Sequence, residues 1–105
     1  MRRTIRPVDA IAAHYFAALA GGETARAVEA CTQAATHAQR VFAYEQSARW
    51  YERALQALDA TPQTDPAPRV ELLLALGEVQ AAAGARDAAC DVFARAAAMA
   101  RELGR

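Results

Sequence analysis

The sequence predicts an all-α domain of about five helices, consecutive ones antiparallel, and three observations carry that reading. Thirty of the 105 residues are alanine, the strongest helix former. Glycine and proline fall at a few places that cut the chain into runs of helical rather than strand length. Where a run carries large apolar residues, they recur at helical spacing, as with Val8, Ile11, Ala12, Tyr15 and Leu19 along one face of the first run.

The runs follow in order. The first covers 7–20, opened by Pro7 at a first-turn position and stopped by Gly21 and Gly22. The second begins near Glu23, whose charge suits a helix N-terminus, and continues through Ala27, Cys31, Ala34, Ala38 and Val41. The third spans about Tyr44 to Leu58. The stretch "DATPQTDPAPR" then places three prolines close together and makes a loop over 59–68. Asp65 is placed to cap the fourth run and Pro66 or Pro68 to open it, and it continues to about Ala83, before Gly84. The fifth runs from about Arg86 to Leu103, with Gly104 as its stop.

Composition narrows the functional classes. A chain of 105 residues makes one small domain over 1–105, with room for one modest core. Its 12 acidic and 12 basic residues cancel, which gives no net field toward nucleic acid or an anionic membrane. Cys31 and Cys90 are far apart and read as small apolar residues of a reducing compartment, with a disulfide or a reactive thiol as the alternatives. The start "MRRTIRPVD" followed by "AIAAHYFAALAGG" imitates a secretion signal, yet His14 interrupts the run and alanine lends it little hydrophobicity. No run approaches the ~20 apolar residues that span a bilayer. A cytoplasmic protein is expected.

Candidate chemistry is sparse. His14 and His37 each stand alone, without a partner at metal-ligand spacing, so no metal and no cofactor is expected. Glu71 and Glu78 share a helix face and imitate an acidic pair, but helices expose such carboxylates routinely. Ser47 and Cys31 have no convincing base partner, and both fall at packing positions. The string "WYERAL" could stack a base, although Tyr51 belongs to a core stripe. Arg2, Arg3 and Arg6 read as a solvated terminus. No enzyme activity is expected.

An internal repeat organises what remains. Laying "YEQSARWYERALQAL" over "RDAACDVFARAAAMA" sets Ser47 over Ala89, Tyr51 over Phe93, Arg53 over Arg95 and Ala54 over Ala96, an offset of 42 residues. Helical hairpins that stack into solenoids repeat at about 34 residues, and an inserted loop of about eight accounts for the difference. From Val70 onward, Leu73, Leu76, Gly77, Gly84, Ala89, Phe93 and Ala96 resemble the tetratricopeptide repeat, with Asp87 at the acidic start of its second helix. From Val28 the corresponding residues are Cys31, Ala34, Ala35, Phe42, Ser47, Tyr51 and Ala54; the second helix fits and the first is degenerate. The aromatic that the family places in the first helix is replaced by Ala38 and Gln80, and no proline closes either unit.

The resemblance implies a short right-handed α-solenoid, with a degenerate repeat over 28–58 and a well-matched one over 69–103. Gly77 and Ala89 are then small because two helix backbones cross there, with Leu76 and Phe93 filling the space beside them. The string "AHYFAAL…ARAVEACTQAATHAQRVFAYEQSARWYERALQAL" is also similar to the helical repeats of large bacterial ATPase regulators, including LuxR-type activators, which implies the interaction part of a regulatory protein. This chain shows no phosphate loop and no DNA-reading helix.

In tetratricopeptide repeats the first helix of each pair lines a binding groove. That places Glu29, Thr32, Thr36, Gln39 and Arg40, then Glu71, Leu74 and Glu78, on a mixed, somewhat acidic surface for a protein or peptide partner. The absence of lysine argues against gripping a chaperone tail carboxylate. The last helix carries more apolar surface than one neighbour covers, so Val92, Met99 and Leu103 are expected to form a self-association edge, either for a homodimer or for a further helix. A helical domain that senses a small ligand is the alternative reading.

Overall fold

The computed structural model describes residues 24–60 and 65–104. The helix expected over 7–20 and part of the proline-rich loop lie outside them. The described residues form four helices and no strand: α1 (Thr24–Arg40), α2 (Tyr44–Asp59), α3 (Ala67–Ala82) and α4 (Arg86–Leu103). Each helix packs on the next, α1 on α2, α2 on α3 and α3 on α4.

The two short turns explain why the helices pair as they do. After α1, the Phe42 N–H donates to the Gln39 carbonyl at 3.0 Å and the Ala43 N–H to the Ala38 carbonyl at 2.8 Å. After α3, the Gly84 N–H donates to the Ala81 carbonyl at 3.0 Å and the Ala85 N–H to the Gln80 carbonyl at 2.8 Å. Both are Schellman caps, which satisfy the last carbonyls of a helix by turning one residue left-handed. That residue is Phe42, at φ 63°, in the first turn and Gly84, at φ 89°, in the second. The following residues agree closely, Ala43 at φ −88°, ψ 68° and Ala85 at φ −87°, ψ 70°. The 42-residue offset of the sequence is therefore also a repetition of backbone geometry.

Phe42 is the costly member of this pair. A left-handed L-residue brings Cβ against the carbonyl oxygen, at about 1–2 kcal/mol, whereas glycine has no Cβ to clash. The helix boundaries otherwise fall where the sequence puts them, to within a residue or two. Asp65 Oδ1 accepts a bond from the Ala67 N–H at 3.0 Å and Pro68 lies in the first turn of α3. An ion pair between Arg69 and Asp59 joins the start of α3 to the end of α2; its exposed carboxylate keeps its contribution within about 1 kcal/mol.

One apolar cluster unites all four helices, with Cys31 from α1, Tyr51, Leu55 and Leu58 from α2, Leu72, Leu73, Leu76 and Val79 from α3, and Val92 and Ala96 from α4. The two hairpins solve their close approach differently. Between α1 and α2, the fully buried Ser47 hydroxyl donates to the Ala35 carbonyl at 2.8 Å, so a side chain of one helix bonds the backbone of the other. Between α3 and α4, an added Cβ on Gly77 would lie 2.6 Å from Cε1 of Phe93. The repeat pattern sets Phe93 in the space beside a close crossing at Gly77, and its ring lies directly against the glycine's face. Ala89 is buried, as a small residue in this hairpin should be.

The core contains one loose end. Among the described residues, Gln80 Oε1 is a buried side-chain polar atom with no hydrogen-bond partner. Gln80 sits where the tetratricopeptide pattern has an aromatic ring, so an amide oxygen takes the place of apolar surface.

Candidate functional site

The candidate site is built on the faces of α1 and α3 that the core does not use. Helical spacing sets Glu29, Thr32, Thr36, Gln39 and Arg40 along one side of α1, and Glu71, Leu74 and Glu78 along one side of α3. Glu29, Gln39, Arg40, Glu71 and Glu78 are exposed, and Thr32 and Thr36 are half-buried. Leu74 is 43% exposed, a large apolar side chain in contact with water between two glutamates. Three pairs stand 42 residues apart, Glu29 with Glu71, Thr32 with Leu74 and Thr36 with Glu78. The turn repetition carries them to equivalent places on the two hairpins, and α2 packs against both helices.

The threonines offer less than their side chains suggest. The Thr32 hydroxyl donates to the Val28 carbonyl at 2.8 Å, and the Thr36 hydroxyl to the Thr32 carbonyl at 2.9 Å. Each therefore spends its one proton on its own helix, leaving a methyl group and acceptor lone pairs for a partner. The α3 face presents Glu71 and Glu78 on either side of Leu74, and the α1 face presents Glu29, Gln39 and, at its end, Arg40. Such a surface suits a partner that brings a basic group and an apolar anchor.

The α4 edge differs from the expectation. Val92 is only 6% exposed and belongs to the core cluster, so it presents no surface. Met99 is half-buried and packs against that cluster, while Leu103 is 45% exposed. A hollow of about 250 Å³ between Pro66, Ala98, Met99 and Glu102 marks what is left of the edge. The physical reason is that α4 turns Val92 inward together with Ala89 and Ala96, while its outer side carries mostly small residues, with Ala94, Ala97 and Ala98 all exposed.

Two regions stand out that the sequence reading passed over. Val41 is 60% and Phe42 76% exposed, next to a hollow of about 490 Å³ that reaches Tyr44 and Arg49. A second hollow, of about 320 Å³, lies along α2 between Gln46, Arg49, Trp50 and Arg53. The signals were present: a phenylalanine where the repeat has glycine, and a tryptophan beside Tyr51. Only Tyr51 of that pair is buried; half-buried Trp50 carries the Arg53 guanidinium 5.0 Å above its ring.

The two cysteines stand in different surroundings. Cys31 is fully buried, and burial pushes its thiol up to about 11, a rise that nearby Arg53 partly opposes. Cys90 is exposed on α4. Among the described residues no three of histidine, cysteine, aspartate and glutamate are grouped to hold a metal ion, and no helix is long and apolar enough to cross a membrane. No family model, curated protein or solved structure matches this chain.

Proposed function

We propose that this chain is a non-catalytic, tetratricopeptide-like interaction module that binds a protein or peptide segment across the outward faces of α1 and α3. The single observation that carries the reading is the repetition itself. Two hairpins share one turn geometry at an offset of 42 residues, and the first helix of one carries Glu29, Thr32 and Thr36 at the positions that Glu71, Leu74 and Glu78 take in the other, all at least partly exposed. A repeated scaffold with a repeated exposed face serves binding along its length, since each unit adds contacts in register with the last.

The resemblance to the helical repeats of bacterial regulators supports a role as the interaction part of such a protein, in the cytoplasm. The chemistry of the face specifies the partner further: Leu74 is the apolar anchor, and Glu71 and Glu78 select arginine or lysine beside it. The test is affinity capture with the purified chain, set against Leu74→Glu and Glu78→Arg. Glu78 is exposed, so Glu78→Arg should change stability by less than about 0.5 kcal/mol, and Leu74, 43% exposed, should cost about 1 kcal/mol when replaced by glutamate. Loss of the same captured protein from both variants supports the reading, and undiminished capture contradicts it.

A further inference from the structure

We propose that the α1–α2 turn and the adjoining outer side of α2 form a second docking surface, distinct from the faces of α1 and α3, for an acidic peptide segment that carries an apolar side chain.

The second hairpin turn serves as an internal control for the first. The turns at Phe42 and Gly84 make the same pair of capping bonds, and both need a left-handed residue. Glycine meets that need without strain; phenylalanine does not. Burial of the ring would offset the strain, but Phe42 is 76% exposed, and the aromatic contact it makes is edge-to-face with Tyr44, with ring centroids 6.3 Å apart. The molecule thus holds a strained residue whose ring returns little to the fold. Strain kept at a solvent-facing position points to use of the side chain itself.

The surroundings say what that ring would meet. Val41, 60% exposed, extends the apolar tip. The hollow of about 490 Å³ beside it and the hollow of about 320 Å³ along α2 share Gln46 and Arg49, so they form one continuous surface from Phe42 to Arg53. Charge is complementary to an acid: Arg49 and Arg53 line this surface against a single glutamate, Glu45. Arg53 is already oriented by Trp50, with its guanidinium 5.0 Å from the ring centroid. Guanidinium groups take carboxylates in a two-pronged arrangement, and exposed aromatic rings supply apolar area at small entropic cost. A peptide carboxylate on Arg49, which lines both hollows, with its apolar neighbour against Phe42 and Val41, joins the two parts of the surface. Nucleic acid fits less well, because two arginines neutralise too few of a strand's phosphates to hold it.

The experiment measures binding of the full chain to three fluorescent probes by anisotropy. The first is a peptide in which aspartate and glutamate alternate with leucine and phenylalanine; the second has lysine for each acid; the third is a single-stranded oligonucleotide. The expected result is binding of the acidic peptide, weakened at least about tenfold, or ~1.4 kcal/mol, by Phe42→Gly and by Arg49→Glu, and unchanged by Leu74→Glu. Phe42→Gly relieves backbone strain, so it keeps the fold, and circular dichroism verifies this. Absence of acidic-peptide binding, equal binding of the lysine peptide, or an undiminished affinity of Phe42→Gly would overturn the proposal. Tighter binding of the oligonucleotide would overturn it in favour of a nucleic-acid surface.

Discussion

Replacing Gly77 with alanine tests the packing of α3 against α4 more finely than any truncation, because its sign depends on a single neighbour. The new Cβ would lie 2.6, 2.8 and 2.9 Å from Cε1, Cζ and Cδ1 of Phe93. Carbon atoms in contact prefer about 3.5–4.0 Å, so the ring must retreat by roughly 1 Å. Phe93 is half-buried and can yield toward solvent, but only by giving up packing. Overpacking of this kind costs about 1–3 kcal/mol. Against it stands the helix propensity of alanine, about 1 kcal/mol better than glycine inside a helix. The net effect is a destabilisation of up to about 2 kcal/mol. With Phe93 replaced by alanine the clash is gone, and the same Gly77→Ala change should stabilise by about 1 kcal/mol. Urea denaturation followed by far-ultraviolet circular dichroism, on all four combinations, yields a coupling energy of about 1–3 kcal/mol if the ring is the cause. An equal shift in both backgrounds would refute the reasoning and place the ring elsewhere.

Four further outcomes follow from the same packing. Replacing Gln80 with leucine removes a buried oxygen that lacks a partner and should raise stability by about 1 kcal/mol in urea denaturation. Ala89→Leu should lower stability by about 1–3 kcal/mol, while Glu71→Ala shifts it by less than about 0.5 kcal/mol; equal effects would mean that the repeat frame is misassigned. A thiol reagent should titrate Cys90 in the native protein and reach Cys31 only after denaturation. Since burial raises Cys31 from 9.0 to about 11, its contribution to stability is complete below about pH 9 and is lost as pH climbs toward 11. Cys31→Ala should flatten that part of the pH profile.

The helices were legible in the sequence because their ends are marked. Gly84 announces the end of α3, and Asp65 with Pro66 and Pro68 announces its start. The end of α1 carries no such punctuation: the left-handed position is filled by Phe42, a residue that sterics disfavour there, so the turn could be read only through its partner 42 residues on. The register of the outward faces was legible for the same reason, since the repeat aligns Glu29 with Glu71 and Thr36 with Glu78. The inward direction of Val92 was not. In a helix as rich in alanine as α4, apolar residues lie on every side, and only contact with α3 decides which of them are buried. The hollow beside Trp50 and Arg53 was hidden too, because it depends on how two side chains stack rather than on their spacing.

Binding of a protein at the α1 and α3 faces is open to direct test. A photo-crosslinking residue placed at Leu74, and separately at exposed Arg95 on α4 as a reference, tests it directly in the cells that express the chain. The account predicts a discrete crosslinked protein from position 74, lost when Glu78→Arg is added, and none of that product from position 95. The same crosslinked product from both positions, or none from position 74, would contradict it.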